Sequence, residues 1–466
     1  MPTSRRDFLR QTGCLLGTAA LASTFDSLGL INAYAQTTAA DYRALVCIFL
    51  NGGNDGNNMI VPLDAEYAAY QNVRGASTLA LTQASLLPVN PMSGRQFGFH
   101  PNMPEMQSLF NQGKVGVVCN VGPLVEPLTR ATYQNGTGKK PLQLFSHSDQ
   151  VGLWQTSTAD TVSQTGWGGR TADRTAFLNG AATFPQVISI AGISLFATGL
   201  NTRPLAISDS RTSLSSVLPL SNAPGATTAE TNARRASLDA LRTYDQSALL
   251  VKAASDVTSS ALQTRDALIS ANVTLQTNFP DTTLGFQLKQ VAKLIALRNT
   301  LGIKRQIFFV SLGGFDTHSN QRGAGQDTLL QQVSQAMSAF YASLVELSTT
   351  LATDVTREVT AFTISDFGRT LQPAGSGSAV GSDHGWGNHQ LVMGGAVRGN
   401  DFYGRFPTLA LSGPDDADSR GRWIPSTSVE QYAATLGTWY GLSSSDLPAV
   451  FPLIGRFPTA NLGFML

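Results

Sequence analysis

Apolar residues in this chain fall into short continuous runs separated by stretches of helical period, the pattern of doubly buried strands alternating with covering helices. The first run, Ala44-Leu45-Val46-Cys47-Ile48-Phe49-Leu50, is followed by a polar helix near residues 65–71, an amphipathic segment at 103–112 and a second strand at 115–121. Strand, helix, strand in that order predicts a parallel sheet, because parallel neighbours need a crossover connection. Shorter strands are expected at 186–191 and 205–208, a helix at 286–297, a strand ending at Gly313, a long helix at 328–351 and a strand at 359–365. From 221 to 277 the chain is rich in Ala, Ser, Thr and Gln, and Leu238, Leu241, Ala248, Leu249 and Val251 recur at roughly helical spacing. This predicts helices forming an insertion or cap, about 221–300. The Gly- and Ser-rich run 374–382 predicts a flexible loop. The expected class is α/β with a mostly parallel central sheet.

Chemistry concentrates where these strands end. Four of the five histidines sit in polar clusters beside a carboxylate, and the tightest cluster is Ser382-Asp383-His384-Gly385-Trp386-Gly387-Asn388-His389. Gly313-Gly314-Phe315-Asp316-Thr317-His318 follows one apolar run, and Asn51-Gly52-Gly53-Asn54-Asp55-Gly56 follows the first. Asp and His supply the oxygen and imidazole ligands that suit zinc, manganese and related divalent ions. Asp316 and His318 are two apart, so in extended backbone both point to one face. Asp383 and His384 are adjacent and need the freedom of Gly385 and Gly387 to turn inward together. His389 returns from the far side of that turn, and Asp55 offers a carboxylate able to complete a two-metal centre. Asp366, at the end of a fourth strand, is a further ligand or a carboxylate that orients a histidine. Trp386 and Trp154 are expected to pack the rim, and His100 to be structural.

Ser4-Arg5-Arg6-Asp7-Phe8-Leu9-Arg10 reads as a twin-arginine export signal, with a modest apolar stretch at 14–21 and a small-residue cleavage site, Ala33-Tyr34-Ala35. Residues 1–35 are therefore expected to leave, and residues 36–466 to form one large domain that is periplasmic or secreted, after passage through the twin-arginine translocase. No later run is long enough to span a bilayer, which takes about 20 apolar residues. Lys plus Arg number 32 and Asp plus Glu 31; three arginines and two aspartates belong to the leader, so the remainder is formally neutral. Nucleic acid is excluded as a partner by the lack of a basic stripe. Cys14 leaves with the leader. Cys47 and Cys119 lie in apolar runs and are expected to be unpaired core thiols, although spacing alone leaves their pairing open.

The twin-arginine signal together with FLNGGNDG, FSHSDQ followed by LWQT, GGFDTH, SDFGRT and GSDHGWGNH resembles the bacterial exported family known only as domain of unknown function 1501. That family in turn resembles a distant branch of the alkaline phosphatase and sulfatase superfamily. The resemblance implies a three-layer α/β sandwich with helices on both faces of the sheet and metal at the carboxyl ends of its strands. It also implies two divalent ions, with Asp316, His318 and His389 around one and Asp55, Asp383 and His384 around the other. The spacing departs from that superfamily: one residue separates Asp316 from His318 where alkaline phosphatases have three, and His389 follows the Asp-His pair closely. No Cys-x-Pro-x-Arg sequence is present for making a formylglycine, which disfavours a true sulfatase.

The nucleophile is expected at Leu144-Phe145-Ser146-His147-Ser148-Asp149-Gln150, a helix start whose amides favour an anion. Ser146 or Ser148 attacks as a metal-activated alkoxide in this reading, with Arg369 or Arg170 steadying the substrate. The bland alternative makes either serine a helix cap and Asp149 a complement to the dipole. His147 is a ligand or a hydrogen-bond partner. The resulting expectation is a metal-dependent hydrolase of phosphate or sulfate esters acting on a small anionic ester. The alternatives are a catalytically lapsed envelope binding or assembly protein of the same fold, and a phosphotransferase or mutase. The sequence does not choose among zinc, manganese, magnesium and calcium.

Overall fold

The computed structural model describes residues 38–214, 227–244, 246–269 and 273–466. The expected leader and residues 221–226, 245 and 270–272 of the expected insertion lie outside the described residues. In chain order the strands are β1 (Arg43–Leu50), β2 (Ile60–Pro62), β3 (Leu87–Val89), β4 (Phe97–Phe99), β5 (Val115–Gly122), β6 (Val187–Ser189), β7 (Leu205–Ala206), β8 (Arg305–Leu312), β9 (Val359–Ser365), β10 (Arg369–Ala374), β11 (Gly381–His384), β12 (Asn388–Met393), β13 (Phe402–Tyr403) and β14 (Thr427–Ser428). The main sheet runs β13-β5-β12-β9-β1-β8-β6-β7, with β14 also on β5. It is parallel except at β12, which is antiparallel to both β5 and β9. β1 and β5 thus share a direction, as their order in the chain predicts, but two strands lie between them.

Alternate residues of β1 enter two different cores. Ala44, Val46, Ile48 and Leu50 pack with residues of the helices Pro104–Asn111, Thr283–Ala296 and Gln326–Leu351. Leu45, Cys47 and Phe49 pack with residues of His147–Thr156, Trp167–Thr175 and Val429–Tyr440. Helices therefore cover both faces, giving three layers. A strand enclosed this way loses the polar-out alternation of a half-buried sheet, which is why its sequence reads as an unbroken apolar run. Each large side chain so buried contributes about 1.5–3 kcal/mol. Cys47 and Cys119 are buried, unpaired thiols. Trp154 is fully buried in the second core rather than at a rim. The stretch read as helical carries the helices Thr228–Thr243 and Leu249–Ile269. Among the described residues no helix is long and apolar enough to cross a membrane.

Register positions the site. Leu50 is level with Leu312 on one side and Ser365 on the other, so the segments after β1, β8 and β9 leave the same edge of the sheet together. Gly52, at φ +116°, lets two of them touch: a Cβ there would lie 2.4 Å from the backbone nitrogen of Asp316. The run 374–382 corrects an expectation. It is the turn of a hairpin, not an open loop: β10 and β11 pair antiparallel, with Arg369 opposite His384. Its glycines supply the tip, Gly375 and Gly377 having φ of +80° and +70°.

Candidate metal centre

Three imidazole rings converge on one carboxylate. Asp316, four residues beyond the end of β8, has its Oδ1 3.2 Å from His318 Nε2, 3.3 Å from His147 Nε2 and 3.5 Å from His384 Nε2. His318 Nε2 and His384 Nε2 are 2.8 Å apart. His147 is the first residue of the helix His147–Thr156, and His384 ends β11. Asp316 and His318 remain about half exposed, at 48% and 46% of the side chain, so the cluster opens to solvent.

Each ring is oriented by its other nitrogen. His384 Nδ1 lies 2.7 Å from the Phe145 carbonyl oxygen, and since a carbonyl only accepts, Nδ1 carries the hydrogen and Nε2 is left with a lone pair. His318 Nδ1 lies 3.0 Å from Asp383 Oδ1, and His147 Nδ1 2.8 Å from Asp366 Oδ2. Asp366 is fully buried, and its Oδ1 accepts from the Gly52 N–H at 2.9 Å. Carboxylate or carbonyl behind imidazole, with Nε2 facing inward, is how metal-binding histidines are held. His147 Nε2 is buried without a hydrogen-bond partner.

The charges are organised to match. The Asp316 carboxyl is held down at about 2: partial burial opposes ionisation, but the hydrogen bond and charge of Arg369, then the charges of His147 and His318, outweigh it. The hydrogen bond to Asp366 raises His147 above the ordinary imidazole range against the opposing effect of burial. Burial lowers His384, aided by the positive charges of Arg369, His147 and His318 and opposed by its bond to Phe145. The cluster fits a metal by size. Ligands around a tetrahedral zinc at 2.0–2.1 Å lie about 3.3 Å from one another, and the four separations here run from 2.8 to 3.5 Å. Three imidazoles and one carboxylate form a donor set suited to zinc and other borderline divalent ions.

The structure thus brings together Asp316, His318 and His384, with Asp383 behind His318, but it does not assemble the second centre. Asp55 is fully buried and engaged elsewhere: Arg74 Nη1 lies 2.6 Å from its Oδ2, Gln321 Nε2 donates to the same oxygen at 2.6 Å, and Oδ1 accepts from Arg74 Nη2 and the Asn57 N–H. His389 is buried on β12, stacked on Phe406, with Nδ1 accepting from the Asn120 N–H at 3.2 Å. Burial depresses it to about 3. Asp383 is an orienting carboxylate shared between His318 and Arg420.

The expected substrate-binding and nucleophilic residues are also placed differently. Arg369 is buried, and its donors reach the carbonyls of Gly52, Gly53, Phe315 and Ser382 and the carboxylate of Asp316. It tethers the β1, β8 and β11 segments to one another and has no free edge for an anion. Arg170 is buried against the Thr156, Thr165 and Val450 carbonyls. Ser146 precedes the helix, and its hydroxyl donates to Asp149 at 2.5 Å without capping a backbone amide. Ser148 is exposed, its hydroxyl near Ser146 and Asp149. Trp386 is buried and donates to the Pro123 carbonyl. His100 pairs with Asp327 and accepts from the Asn102 N–H, a structural role as expected. The residue underweighted by sequence is His147, whose signal was its place at a helix start in FSHSDQ.

An α/β protein with a histidine and aspartate cluster at the carboxyl edge of its sheet is the class defined here. The chain belongs to the family described as "Protein of unknown function (DUF1501)", whose model matches residues 42–418. No curated protein matches it significantly. Among solved structures it is similar to the C-terminal periplasmic domain of EcEptC from Escherichia coli in complex with Zn, at 11% identity and a TM-score of 0.33 over 91% of this chain and 87% of that one. It is also similar to the PsFucS1 sulfatase from Pseudoalteromonas sp., at 9% identity and a TM-score of 0.30 over 91% and 70%. A third is alkaline phosphatase from the Antarctic bacterium TAB5, at 10% identity and a TM-score of 0.20 over 76% and 91%.

Proposed function

We propose that this chain is an exported metal-dependent hydrolase of phosphate or sulfate esters, with one divalent ion held by His147, Asp316, His318 and His384. The observation that carries the metal is the 2.8 Å approach of His318 Nε2 to His384 Nε2 while both Nδ1 atoms face acceptors. Two imidazole nitrogens at that distance need a cation between them, a metal ion or a proton, and the inward Nε2 of His147 and the carboxylate of Asp316 beside them complete a donor set for the former. A divalent ion there supplies Lewis acidity, polarising a phosphoryl or sulfuryl oxygen. The protein's part is orientation: Asp366, Asp383 and the Phe145 carbonyl fix the three rings, Arg369 keeps Asp316 ionised, and the exposed side of Asp316 and His318 leaves room for an anionic ester. Export through the twin-arginine translocase to the periplasm or beyond rests on the residues at 4–10, and the neutral charge balance argues against a nucleic-acid partner.

A second reading, a binding protein that holds metal and anion without turnover, is favoured by one feature. Neither Ser146 nor Ser148 hydrogen-bonds to the three-histidine cluster; both hydroxyls face Asp149. Hydrolysis of a panel of phosphate and sulfate monoesters, before and after chelation and metal restoration, separates the two. Turnover abolished by chelator and recovered with metal supports the hydrolase, whereas metal and anion bound with no turnover of any ester supports the binder.

A further inference from the structure

We infer that Arg420 is the residue that grips the anionic group of the ligand, an inference that rests on the metal-site reading above. An anion approaching the cluster needs an accessible cation with unengaged donors, and Arg369 is buried with each of its three nitrogens already bonded to the protein. Arg420 has both position and capacity. Its Nη2 makes an ion pair with Asp383 Oδ2 at 2.5 Å, on the carboxylate whose other oxygen orients His318. Among the described residues its Nε and Nη1 have no protein partner, and the side chain is 36% exposed.

Its backbone is fixed so that this side chain is presented to the hairpin. The Arg420 N–H donates to Asp418 Oδ1 at 2.8 Å, and the Gln372 and Leu371 N–H groups of β10 donate to the Arg420 and Gly421 carbonyls at 3.0 and 3.1 Å. Arg422, two residues on, bonds the His384 carbonyl through Nε at 2.8 Å and Asp418 through Nη1 at 2.9 Å, over the Phe145 ring. It anchors the segment from the other side. A planar guanidinium with one nitrogen on a carboxylate and the remaining N–H groups open suits an oxyanion of the phosphate type. Because Asp383 stands between Arg420 and His318, anion and metal are held by one connected set of side chains.

The test compares metal-loaded wild type, Arg420→Ala and Arg420→Lys, measuring bound metal by elemental analysis and binding of inorganic phosphate and inorganic sulfate by calorimetry. Metal stoichiometry is expected to persist in both variants. Phosphate affinity should fall about 10- to 100-fold in Arg420→Ala, the size of effect of removing a charged hydrogen-bond partner, with partial recovery in Arg420→Lys. Unchanged phosphate binding in metal-loaded Arg420→Ala overturns the inference and leaves the metal site standing. If the variant binds less phosphate only because it holds less metal, and saturating metal restores wild-type affinity, Arg420 is a positioning residue for Asp383 and the inference fails. Wild type that carries metal but binds neither anion sinks the ester-hydrolase reading, and the inference with it.

Discussion

His318 and His384 meet Nε2 to Nε2 at 2.8 Å, while behind them Nδ1 of one faces Asp383 and Nδ1 of the other faces the Phe145 carbonyl. The rings come from segments 66 residues apart in sequence, and neither can turn its Nε2 away without losing the hydrogen bond at its own Nδ1. His147 adds a third inward nitrogen, with no hydrogen-bond partner.

Alanine at His147 or His384 should therefore abolish stoichiometric metal binding, read by elemental analysis after dialysis against trace metal. His389→Ala should leave stoichiometry intact, because His389 is stacked on Phe406 and bonded to Asn120. Metal lost in His389→Ala but kept in His147→Ala would reverse this assignment.

Asp366 touches no ligand position except through His147 Nδ1. Replacing it by Asn preserves shape but removes the charge behind the ring, and metal affinity should fall about 10- to 100-fold. A competitive chelator titration reads this directly.

Asp55 offers the opposite expectation. Its pairing with Arg74 is fully enclosed, and removing one partner of a buried pair leaves an uncompensated charge. Asp55→Ala should cost about 3–5 kcal/mol of stability in denaturant unfolding while its folded fraction still binds metal. Full stability with loss of metal would return Asp55 to the ligand set.

Glu430 supplies a pH dependence remote from the cluster. Burial pushes its carboxyl up to about 8, and Oε2 has no hydrogen-bond partner, whereas an unfolded glutamate ionises near 4.3. The folded state holds the extra proton between those values, so stability is greatest below the unfolded pKa and declines as pH rises through the folded one. Glu430→Gln should flatten that decline, raising the melting temperature more near pH 8 than near pH 5. An equal shift at both would contradict it.

Much of the fold was legible because strands enclosed on both faces advertise themselves as apolar runs: β9 occupies the residues predicted for it, 359–365, and β1 begins one residue earlier than expected. β12 begins inside the histidine-rich motif, which hides its strand pattern, and the hairpin tip reads as an open loop because turn glycines and flexible glycines look alike in sequence. The site was legible in part. Asp316 and His318 follow from spacing, but His147 and Asp366 meet across 219 residues, a relation no local pattern carries. Asp55 and Asp316 look equivalent in sequence, each in a glycine-containing loop after a strand. What separates them is Arg74, which encloses the first, and the open edge beside the second.

The measurement that bears most directly on the central claim is the coordination of the bound ion, by anomalous diffraction at its absorption edge from crystals of the metal-loaded protein. The account predicts one ion at bonding distance from Nε2 of His147, His318 and His384 and from the Asp316 carboxylate. An ion seated on Asp55 or His389, or crystals saturated with divalent metal in which the three rings hold none and His318 and His384 share only a proton, would contradict it.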